Sequence, residues 1–363
     1  MHVGSRLPRI AVIADLLEER WPSMDLAAEQ LATNLSRRDD MECVLFRSPL
    51  RAARRGRPAS AHERALGRFV QLPIELALTR PTADYFHIAD HSYGHLALLF
   101  PRDRVGVYCH DIDAYRALLP GSNAPRSRVL LSRLLLQGLR HARLVFHSTS
   151  SVREEILRHA LVPASRLVQA PLGIAAEFLE TPAPSARNRQ FLLHVGSCTP
   201  RKNVEFLLQL FAAARQSVPG LELIQIGGPW TEAQRDYIER QNLAQVIQQR
   251  RGLSRAELSS LYANATAVVV SSVAEGFGLP VIEALACGAP VIASDIPVLR
   301  EVGFEGVRFC PLTEISEWIR AIEELCATGA RPSDETRERV RARYTWQAQA
   351  RIIGDAYLGG AQT

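Results

Sequence analysis

The 363-residue sequence predicts an α/β protein built from two doubly wound, Rossmann-like domains. Short Val-, Ile- and Leu-rich runs that end in small or polar residues alternate with amphipathic helical patterns, as buried parallel strands and their connecting helices do. The alternation occurs twice and is interrupted once, by the Pro-, Ala- and Ser-rich stretch FLETPAPSARNRQ, which is typical of a linker. The length and the 47% hydrophobic content allow each domain its own core.

The domain boundaries follow from this alternation. We expect an N-terminal Rossmann-like domain at 1–177, an interdomain linker at 178–190 and a second Rossmann-like domain at 191–344. The final stretch, 345–363, carries an amphipathic helical pattern and is expected to pack back on the N-terminal domain.

Each strand is predicted from a continuous apolar run. In the first domain such runs occur at 9–15, 42–47, 85–90, 104–111 and 143–149. In the second domain they occur at 191–197, 221–228, 267–272, 290–295 and 306–310. Doubly wound sheets bind ligands beyond the carboxyl ends of their strands, so the residues that follow each run are candidates for function.

The net charge of +5 lies entirely in the first half of the chain. Its densest part is 47–69, which holds seven arginines against one glutamate. Two interpretations remain open: a solvated Arg-rich loop and helix, or a surface for an anionic partner such as acidic lipid headgroups or a phosphate-bearing acceptor. A nucleic-acid partner is not expected, because no binding motif accompanies the arginines.

The six cysteines are scattered and form no C-x-x-C pair. This spacing argues against a disulfide framework or a structural zinc site and fits a reducing cytoplasm. The N-terminal apolar run is too short for a signal peptide, and no stretch of about 20 uncharged apolar residues is present. We expect a cytoplasmic protein, with a peripheral contact to the inner face of the membrane through 47–69 as an open alternative.

The most specific segment is SSVAEGFGLPVIEALACG, at 271–288. It follows a predicted strand, turns through glycines and starts a helix with Pro280 in its first turn and Gly288 placed to end it. Small residues before a helix let backbone amides approach an anion. Two carboxylates flank the turn: Glu275 on the loop and Glu283 about one turn into the helix.

A second segment, HVGSCTPRKN at 194–203, follows the first strand of the second domain and contains the only lysine of the chain. This residue, Lys202, stands directly after Arg201. A bidentate guanidinium beside a compact ammonium suits two adjacent phosphates.

These segments resemble a known family. The E-x7-E spacing within EGFGLPVIEALACG is similar to the hallmark of retaining glycosyltransferases of family 4, which have the GT-B fold. HVGSCTPRKN resembles the G-x-x-x-x-R-K-N segment of the same family, and 251–272 resembles the stretch that leads into E-x7-E. The resemblance runs in order over about residues 190–303 and more weakly through the first half. It implies two Rossmann-like domains that face each other across a cleft.

The resemblance implies a nucleotide-sugar donor site in the second domain. Arg201 and Lys202 would hold the diphosphate, Glu283 the ribose hydroxyls and Glu275 the donor sugar. The remaining residues of the donor site would let a loop approach the donor closely, supply backbone amides to it or contact its base. These residues are Gly196, Arg251, Gly252, Leu253, Phe277, Gly278 and Leu279.

His110 ends a strand of the first domain, and by resemblance it contacts the donor sugar. The alternative is a hydrogen-bonded structural histidine. Asp111 and Asp113 form a D-x-D pattern, which in the other major transferase fold would hold a metal. We interpret it as incidental, because cations and helix dipoles are expected to offset the diphosphate charge. No metal and no cofactor are therefore expected.

Polar residues at two other strand ends of the first domain are candidate acceptor contacts. Asp90, His91 and Tyr93 follow one strand, and Ser148 follows another. The loop at 14–25 departs from the family pattern, since Pro22 and Ser23 stand where a Gly-Gly pair is common. The sequence therefore does not predict phosphate binding by that loop, and acceptor binding there is expected to differ from the family pattern.

The sequence thus predicts a metal-independent retaining glycosyltransferase that moves a hexose from a nucleotide sugar to an acceptor hydroxyl. Its catalytic residues would be His110, Glu275, Arg201 and Lys202. GDP-mannose is slightly favoured over a UDP-hexose as donor. The acceptor would be a saccharide or a lipid-linked sugar in surface polysaccharide synthesis. Two alternatives stay open: a nucleotide-sugar epimerase or hydrolase of the same fold, and a non-catalytic nucleotide-sugar-binding protein.

Overall fold

The computed structural model describes residues 6–19, 21–48, 59–79, 81–180 and 189–359. The chain divides into two compact units. The first comprises Met1–Gly173 together with Trp346–Thr363, and the second comprises Ile174–Thr345. Each unit is an α/β structure around its own parallel sheet, which confirms the predicted fold class.

The sheet of the first unit has six parallel strands: β1 (Arg9–Ile13), β2 (Glu42–Phe46), β3 (Tyr85–Ile88), β4 (Val105–Cys109), β5 (Leu144–His147) and β6 (Leu167–Gln169). Their order is β2-β1-β3-β4-β5-β6, so the winding direction reverses between β1 and β3. The helices over the described part of 1–173 are α1 (Pro22–Leu35), α2 (Ala61–Leu66), α3 (Leu72–Thr79), α4 (Arg126–His141) and α5 (Ser150–Arg158). A π-helical turn at Gly67–Gln71 joins α2 to α3.

The second unit opens with the short α6 (Ala176–Leu179). Its sheet also has six parallel strands: β7 (Phe191–Val195), β8 (Glu222–Ile226), β9 (Ile247–Arg250), β10 (Ala267–Val270), β11 (Val291–Ser294) and β12 (Val307–Cys310). Their order is β12-β11-β10-β7-β8-β9, and the winding reverses between β10 and β7. The remaining helices described in this unit are α7 (Val204–Ser217), α8 (Glu232–Arg240), α9 (Arg255–Asn264), α10 (Leu279–Ala286), α11 (Pro297–Gly303), α12 (Ile315–Thr328) and α13 (Asp334–Arg343).

The last helix, α14 (Trp346–Leu358), belongs to the first unit. Arg38, just after α1, reaches α14 and places Nη2 2.7 Å from Oδ1 of Asp355. On the same helix, the buried Tyr357 donates a hydrogen bond from its hydroxyl to the carbonyl of Phe86 at 3.1 Å. The C-terminal segment is therefore part of the core of the first unit.

All ten predicted strands are present, but each sheet has one more strand than the sequence predicts. The additional strands, β6 and β9, lie at sheet edges. Their sequences, LVQ and IQQR, are short and partly polar because an edge strand needs fewer apolar residues. They therefore lack the apolar run on which the prediction depended.

The expected linker starts too early. Phe178, its first expected residue, is buried in the second unit, where its ring packs edge-on against Tyr262 at 5.8 Å. The thiol of Cys287 also donates a weak hydrogen bond to the carbonyl of Phe178 at 3.7 Å. The apolar residues before Glu180 thus form part of the second unit, and 181–188 lie outside the described residues.

Candidate active site

The two motifs of the second unit meet where the winding of its sheet reverses. The segment after β7 lies next to the segment after β10, because β7 and β10 are neighbours. Ser271 donates a hydrogen bond from its hydroxyl to the carbonyl of Lys202 at 3.1 Å, and the backbone N–H of Val273 donates to the carbonyl of Arg201 at 2.9 Å. Ligand sites in doubly wound sheets occur at this reversal.

The turn that carries the basic pair is a 3₁₀ turn at Pro200–Lys202. Asn203 follows it with φ of 50°, in the left-handed region, which asparagine tolerates better than most residues. Asn203 is also the residue before α7, so the chain changes direction sharply between the turn and the helix. This geometry fixes the backbone beneath Arg201 and Lys202.

Lys202 and Glu275 form a buried ion pair. The Nζ of Lys202 lies 2.5 Å from Oε1 of Glu275, and only 11% and 5% of the two side chains are exposed. Ser272 donates a hydrogen bond from its hydroxyl to the same oxygen at 2.7 Å. Burial acts to raise the pKa of Glu275, but Lys202 and Arg201 outweigh it and hold that pKa below its ordinary value. Glu275 is therefore ionised.

Glu283 lies in a different environment, inside α10. It is buried, and its Oε2 accepts a hydrogen bond from the hydroxyl of Tyr262 at 3.0 Å. Burial raises the pKa of Glu283 to about 7, although Tyr262 and Arg255 act in the opposite direction. The two carboxylates of the E-x7-E spacing thus differ in charge near neutral pH.

The start of α10 has the geometry that its sequence predicts. Gly278 precedes the helix with φ of 100°, and a Cβ there would lie 2.8 Å from Cδ2 of Leu299, so glycine is required on both counts. Pro280 lies in the first turn, and Gly288 follows the end of the helix with φ of 71°. The ring of Phe277 is buried and packs edge-on against Tyr344 at 5.5 Å. The side chain of Phe277 is therefore engaged in packing, and that of Leu279 is half-buried.

His194 is a site residue that sequence reasoning missed, although it lies inside HVGSCTPRKN. It is buried, and its Nδ1 lies 3.1 Å from the carbonyl of Val269, to which it donates. Burial lowers the pKa of His194 to about 4, so the ring is neutral and its Nε2 is an acceptor. A Cβ added at Gly196 would lie 3.4 Å from this Nε2 and 3.4 Å from Cδ and Cε of Lys202. The available signal was one polar residue inside the apolar strand FLLHV.

The expected base-binding segment follows β9 at the same carboxyl edge of the sheet. Gly252 has φ of 66°, in the left-handed region, and Arg251 donates from Nη2 to Oε1 of Gln249 at 2.8 Å. Leu253 is half-buried. The positive charge of Arg251 also acts on Cys198 of the HVGSCTPRKN segment, which indicates that the two segments are near each other.

In the first unit, histidines and carboxylates gather after β3 and β4. The Nε2 of His91 lies 3.3 Å from Oδ1 of Asp111, and its Nδ1 lies 3.7 Å from Oδ1 of Asp90. Burial acts to lower the pKa of His91, but these carboxylates raise it above its ordinary value. The Nε2 of His110 lies 2.9 Å from the carbonyl of Ala89, and burial lowers the pKa of His110. His110 is therefore neutral, with its orientation fixed by the backbone of the β3 end.

The D-x-D pair has partners within the chain. Oδ1 of Asp111 accepts the backbone N–H of Asp113 at 2.9 Å, and Oδ1 of Asp113 lies 2.5 Å from Nε of Arg116. Among the described residues, no three His, Cys, Asp or Glu side chains are arranged to hold one metal ion.

All four candidate acceptor contacts are buried. Tyr93 is buried, and its hydroxyl accepts the backbone N–H of Leu16 at 3.3 Å and donates to Oε1 of Glu19 at 3.4 Å. Ser148 is buried as well. Tyr93 therefore supports the loop after β1, and Asp90 and His91, each 5% exposed, are buried as well.

The loop at 14–25 is held by arginines of the 47–69 segment. It forms a 3₁₀ turn at Leu17–Glu19, and α1 begins at Pro22, followed by Ser23. The other arginines of the segment, at 51, 54, 55 and 57, lie outside the described residues. Three described arginines pair with acids of this loop and of α1: Arg47 with Asp25 and Glu29, and Arg64 and Arg68 with Glu19.

Comparisons with known proteins agree with this description. Residues 177–343 match the family described as glycosyl transferases group 1. The chain is 31% identical over 192 residues to the O-antigen chain mannosyltransferase B of Escherichia coli, covering 49% of this chain and 50% of that protein. It is 28% identical over 213 residues to the MMP alpha-(1->4)-mannosyltransferase of Mycolicibacterium hassiacum, covering 56% and 50%. The match thus spans about half the length of these curated relatives.

Two solved structures resemble nearly the whole chain. A sucrose-phosphate synthase from Thermosynechococcus elongatus has a TM-score of 0.76 at 20% identity, covering 97% of this chain and 98% of that one. The apo form of the lipopolysaccharide outer core galactosyltransferase WaaB has a TM-score of 0.65 at 15% identity, covering 97% and 100%. The fold is therefore GT-B, and residues 177–343, which lie within the second unit, match the family of glycosyl transferases group 1.

Proposed function

We propose that the protein is a retaining glycosyltransferase that transfers a hexose from a nucleoside-diphosphate sugar to an acceptor hydroxyl. The observation that carries the proposal is the buried pair of Lys202 and Glu275, with Arg201 beside it, at the reversal point of the second sheet. A paired cation and carboxylate match the two parts of a nucleotide sugar, because phosphate binds the cation and sugar hydroxyls bind the carboxylate.

In the proposed mechanism, donor binding exchanges the partners of this ion pair. The diphosphate takes the place of Glu275 beside Lys202, and Glu275 becomes an acceptor for hydroxyls of the donor sugar. Glu283 accepts hydrogen bonds from the ribose, and His110 contacts the sugar. Because the ring of His110 is neutral, it interacts by hydrogen bonding rather than by charge.

The proposed chemical step is a front-face displacement. The bond between the anomeric carbon and the phosphate oxygen breaks, and a bond from that carbon to the acceptor oxygen forms on the same face. The acceptor proton moves to the leaving phosphate oxygen. Arg201 and Lys202 stabilise the charge that develops on the leaving nucleoside diphosphate, so we propose that no metal ion is required.

We propose GDP-mannose as the donor, with a UDP-linked hexose as the alternative. The names of the curated relatives, among them O-antigen chain mannosyltransferases, support mannose transfer. By the same reasoning, the acceptor is a growing surface polysaccharide or a lipid-linked saccharide.

The test begins with the binding of nucleotides. We expect GDP to raise the melting temperature of the protein more than UDP, and GDP-mannose to yield a glycoside with a retained anomeric configuration, assigned by NMR. Nucleotide-sugar turnover without any acceptor would favour an epimerase or hydrolase. Binding without turnover of any donor would favour a non-catalytic protein. If no nucleotide changed the melting temperature, the proposal would be wrong.

We also propose that the first unit contacts the inner face of the membrane from the cytoplasm. No helix in the described part of the chain has the length and apolar content needed to span a bilayer. However, α2, the π-helical turn and α3 expose four large apolar residues at intervals of four: Leu66, Val70, Ile74 and Leu78, with exposures of 52%, 45%, 52% and 79%. We call these four residues the apolar stripe. An apolar helix face of this kind binds at the lipid interface.

A further inference from the structure

Three neighbouring strands of the second sheet carry a polar side chain at the same level near their carboxyl ends. His194 in β7 lies beside Gln225 in β8, and Gln225 lies beside Gln249 in β9. Residues in register on adjacent parallel strands share one face of the sheet. Gln225 is fully buried, so its amide group needs hydrogen-bond partners within the protein.

The two glutamines form a continuous chain of hydrogen bonds. The Nε2 of Gln225 donates to the carbonyl of Gly196 at 2.8 Å, and the Nε2 of Gln249 donates to Oε1 of Gln225 at 2.8 Å. The Oε1 of Gln249 in turn accepts from Nη2 of Arg251 at 2.8 Å. We call Gln225 and Gln249 the amide relay. It connects the loop after β9 to the loop after β7, which leads to the basic pair of the site.

The groups at its two ends determine the direction of the amide relay. The carbonyl of Gly196 can only accept a hydrogen bond, and the guanidinium of Arg251 can only donate one. Each amide therefore presents its nitrogen toward Gly196 and its oxygen toward Arg251. The Nε2 of Gln249 also donates to the carbonyl of Gly228 at 3.0 Å, which is consistent with the same orientation. Hydrogen bonds that run in one direction polarise and strengthen one another.

The loop after β8 is shaped around the Gly196 end of the relay. Gly227 has φ of 148°, and a Cβ there would lie 1.9 Å from the carbonyl oxygen of Gly196 and 3.1 Å from Nε2 of Gln225. A side chain at position 227 would therefore displace this hydrogen bond. The thiol of Cys198 also donates to the carbonyl of Gly228 at 3.3 Å. The loops after β7, β8 and β9 are thus held to one another.

The relay fixes the orientation of one peptide group in the loop after β7. The N–H of Gly196 donates to the carbonyl of Ile226 at 2.8 Å, and its carbonyl accepts from Gln225, so both groups face β8. In a planar trans peptide the next N–H points away from the carbonyl. The N–H of Ser197 is therefore directed to the other side of β7, where β10 and the buried ion pair lie. A backbone N–H in this position can donate to a phosphate oxygen.

We infer that Gln225 and Gln249 are positioning residues, which hold the Gly196–Ser197 peptide as a hydrogen-bond donor to the diphosphate and transmit the charge of Arg251 to it. This inference rests on the proposed function, because the diphosphate belongs to the donor of that reaction. It gives Arg251 an effect on the phosphates through two amide groups, without direct contact. It also gives a role to two residues that the motifs do not indicate.

The test is a double-mutant cycle on the binding of inorganic pyrophosphate, which carries the two phosphates without a base or a sugar. Gln249→Met removes the amide and keeps the length of the side chain, and Arg251→Met removes the cation. We expect calorimetry to show pyrophosphate binding weakened about fivefold by Gln249→Met and about threefold by Arg251→Met. Because Arg251 acts through Gln249, the double variant is expected to bind no more weakly than Gln249→Met alone.

Gln248→Met is the matched control. Gln248 is the neighbour of Gln249 on β9, but its side chain points to the opposite face of the sheet, where its Oε1 accepts from Nη2 of Arg250 at 2.7 Å. We expect this variant to bind pyrophosphate as the wild type does. The melting temperature of each variant is measured as well, and Gln249→Ser is the second variant if methionine impairs folding.

Wild-type pyrophosphate affinity in Gln249→Met would overturn the inference. Losses that multiply in the double variant would also overturn it, because they would show that Arg251 acts on the phosphates independently of Gln249. A wild type that binds GDP or UDP but not pyrophosphate would contradict it as well. Failure of the wild type to bind any nucleotide would instead refute the proposed function.

Discussion

Glu275 and Glu283 show at the residue scale how one motif holds two carboxyl groups in different states. Both are buried, and burial alone raises the pKa of each. Lys202 reverses this effect for Glu275, whereas Glu283 has only the hydroxyl of Tyr262 and the more distant Arg255 to oppose it. The partner of each carboxyl group, and not its spacing in the sequence, determines its charge.

Removal of one charge of the ion pair is predicted to destabilise the protein. Lys202→Met leaves the buried carboxylate of Glu275 without its ammonium, which we expect to lower the free energy of unfolding by about 3 kcal/mol. Glu275→Gln in the same chain removes the remaining charge and is expected to restore most of that loss. Urea unfolding of the two single variants and the double variant at pH 7.5 measures the coupling. Additive losses would show that the pair is not formed in solution.

Lys202→Arg is predicted to lower kcat/KM for transfer at least tenfold without a change in melting temperature. The planar guanidinium must share phosphate oxygens with that of Arg201, whereas an ammonium needs less space. Steady-state kinetics with GDP-mannose, or with the UDP-hexose if UDP binds better, measures the effect. Arg215→Lys on α7 is the matched control, since its guanidinium donates to the carbonyl of Leu221 at 2.7 Å and lies 5.9 Å from the ring centroid of Phe211. Full activity of Lys202→Arg would mean that the single lysine has no special role.

Glu283 is predicted to make stability and donor binding respond to pH in opposite directions. Its pKa in the folded protein is about 7, above the value of the unfolded chain, so the folded state loses stability as pH rises from about 4.5 through 7. Ribose hydroxyls donate to the ionised form, so donor affinity is expected to increase over the same pH range. Calorimetric binding of GDP or UDP and thermal unfolding at pH 5.5 and 8 measure both.

Glu283→Gln removes this titration. We expect the variant to be more stable than wild type at pH 8, by up to about 3 kcal/mol, and to bind nucleotide weakly at both pH values. Glu257→Gln is the control, because hydrogen bonds from Ser254 lower the pKa of Glu257 and its effect on stability has the opposite sign. A nucleotide affinity of Glu283→Gln equal to that of wild type would refute the ribose contact.

At this scale the sequence indicated the residues with a distinctive motif and missed those that depend on burial. Lys202 and Glu275 lie in recognisable segments, and the structure places them in contact. His194 and Asp15 look like ordinary strand and loop residues in the sequence. The Nε2 of His194 and both carboxyl oxygens of Asp15 are buried without hydrogen-bond partners among the described residues. The spacing of residues in the sequence does not reveal such atoms.

At the scale of elements, α2, the π-helical turn and α3 form one helical segment with two apolar faces. Leu72 and Leu76 are buried in the first unit, and the apolar stripe lies on the exposed side. The π-helical turn rotates less per residue than an α-helix does, which keeps residues at intervals of four nearer to one line. The sequence predicts that the arginines of 47–69 make the membrane contact. The described arginines instead pair with acids of the first unit, so the apolar stripe is the better candidate.

The apolar stripe is predicted to bind membranes. We expect the wild type to sediment with phospholipid vesicles, and Ile74→Gln/Leu78→Gln to reduce the bound fraction at least fivefold, because apolar contacts carry the binding. Leu130→Gln on α4, which is 63% exposed and outside the stripe, is the control and should bind as wild type does. Vesicle binding that does not depend on the stripe, or no vesicle binding at all, would contradict the proposal.

At the scale of the whole molecule, the first unit is built from both ends of the chain. The hydroxyl of Tyr357 on α14 lies above Gly106 in β4, where an added Cβ would come within 2.3 Å of it. Gly106→Ala is therefore predicted to displace Tyr357 and to lower the free energy of unfolding by about 1–3 kcal/mol. Tyr357→Phe removes the obstructing oxygen, so the double variant should lose less than the sum of the two single variants. Chemical unfolding provides the values, and strict additivity would show that α14 does not pack there.

The alternation of strands and helices was sufficient to predict two Rossmann-like units, because buried parallel strands require continuous apolar runs. The exact division of the chain was harder to predict. Phe178 lies in a stretch whose composition resembles a linker, yet it packs against Tyr262, and only the tertiary structure reveals that contact.

The division of the chain has a consequence for biosynthesis. The second unit is continuous from Ile174 to Thr345, whereas the first lacks α14 until Trp346–Leu358 have been translated. On the ribosome, the unit made first is therefore completed last. The second unit can form all of its internal contacts before Tyr357 is available to donate its hydrogen bond to the carbonyl of Phe86 in the first unit. A nascent chain that ends at Thr345 and is tethered through a linker long enough to clear the ribosomal exit tunnel should thus resist protease in its second unit and be cleaved in its first.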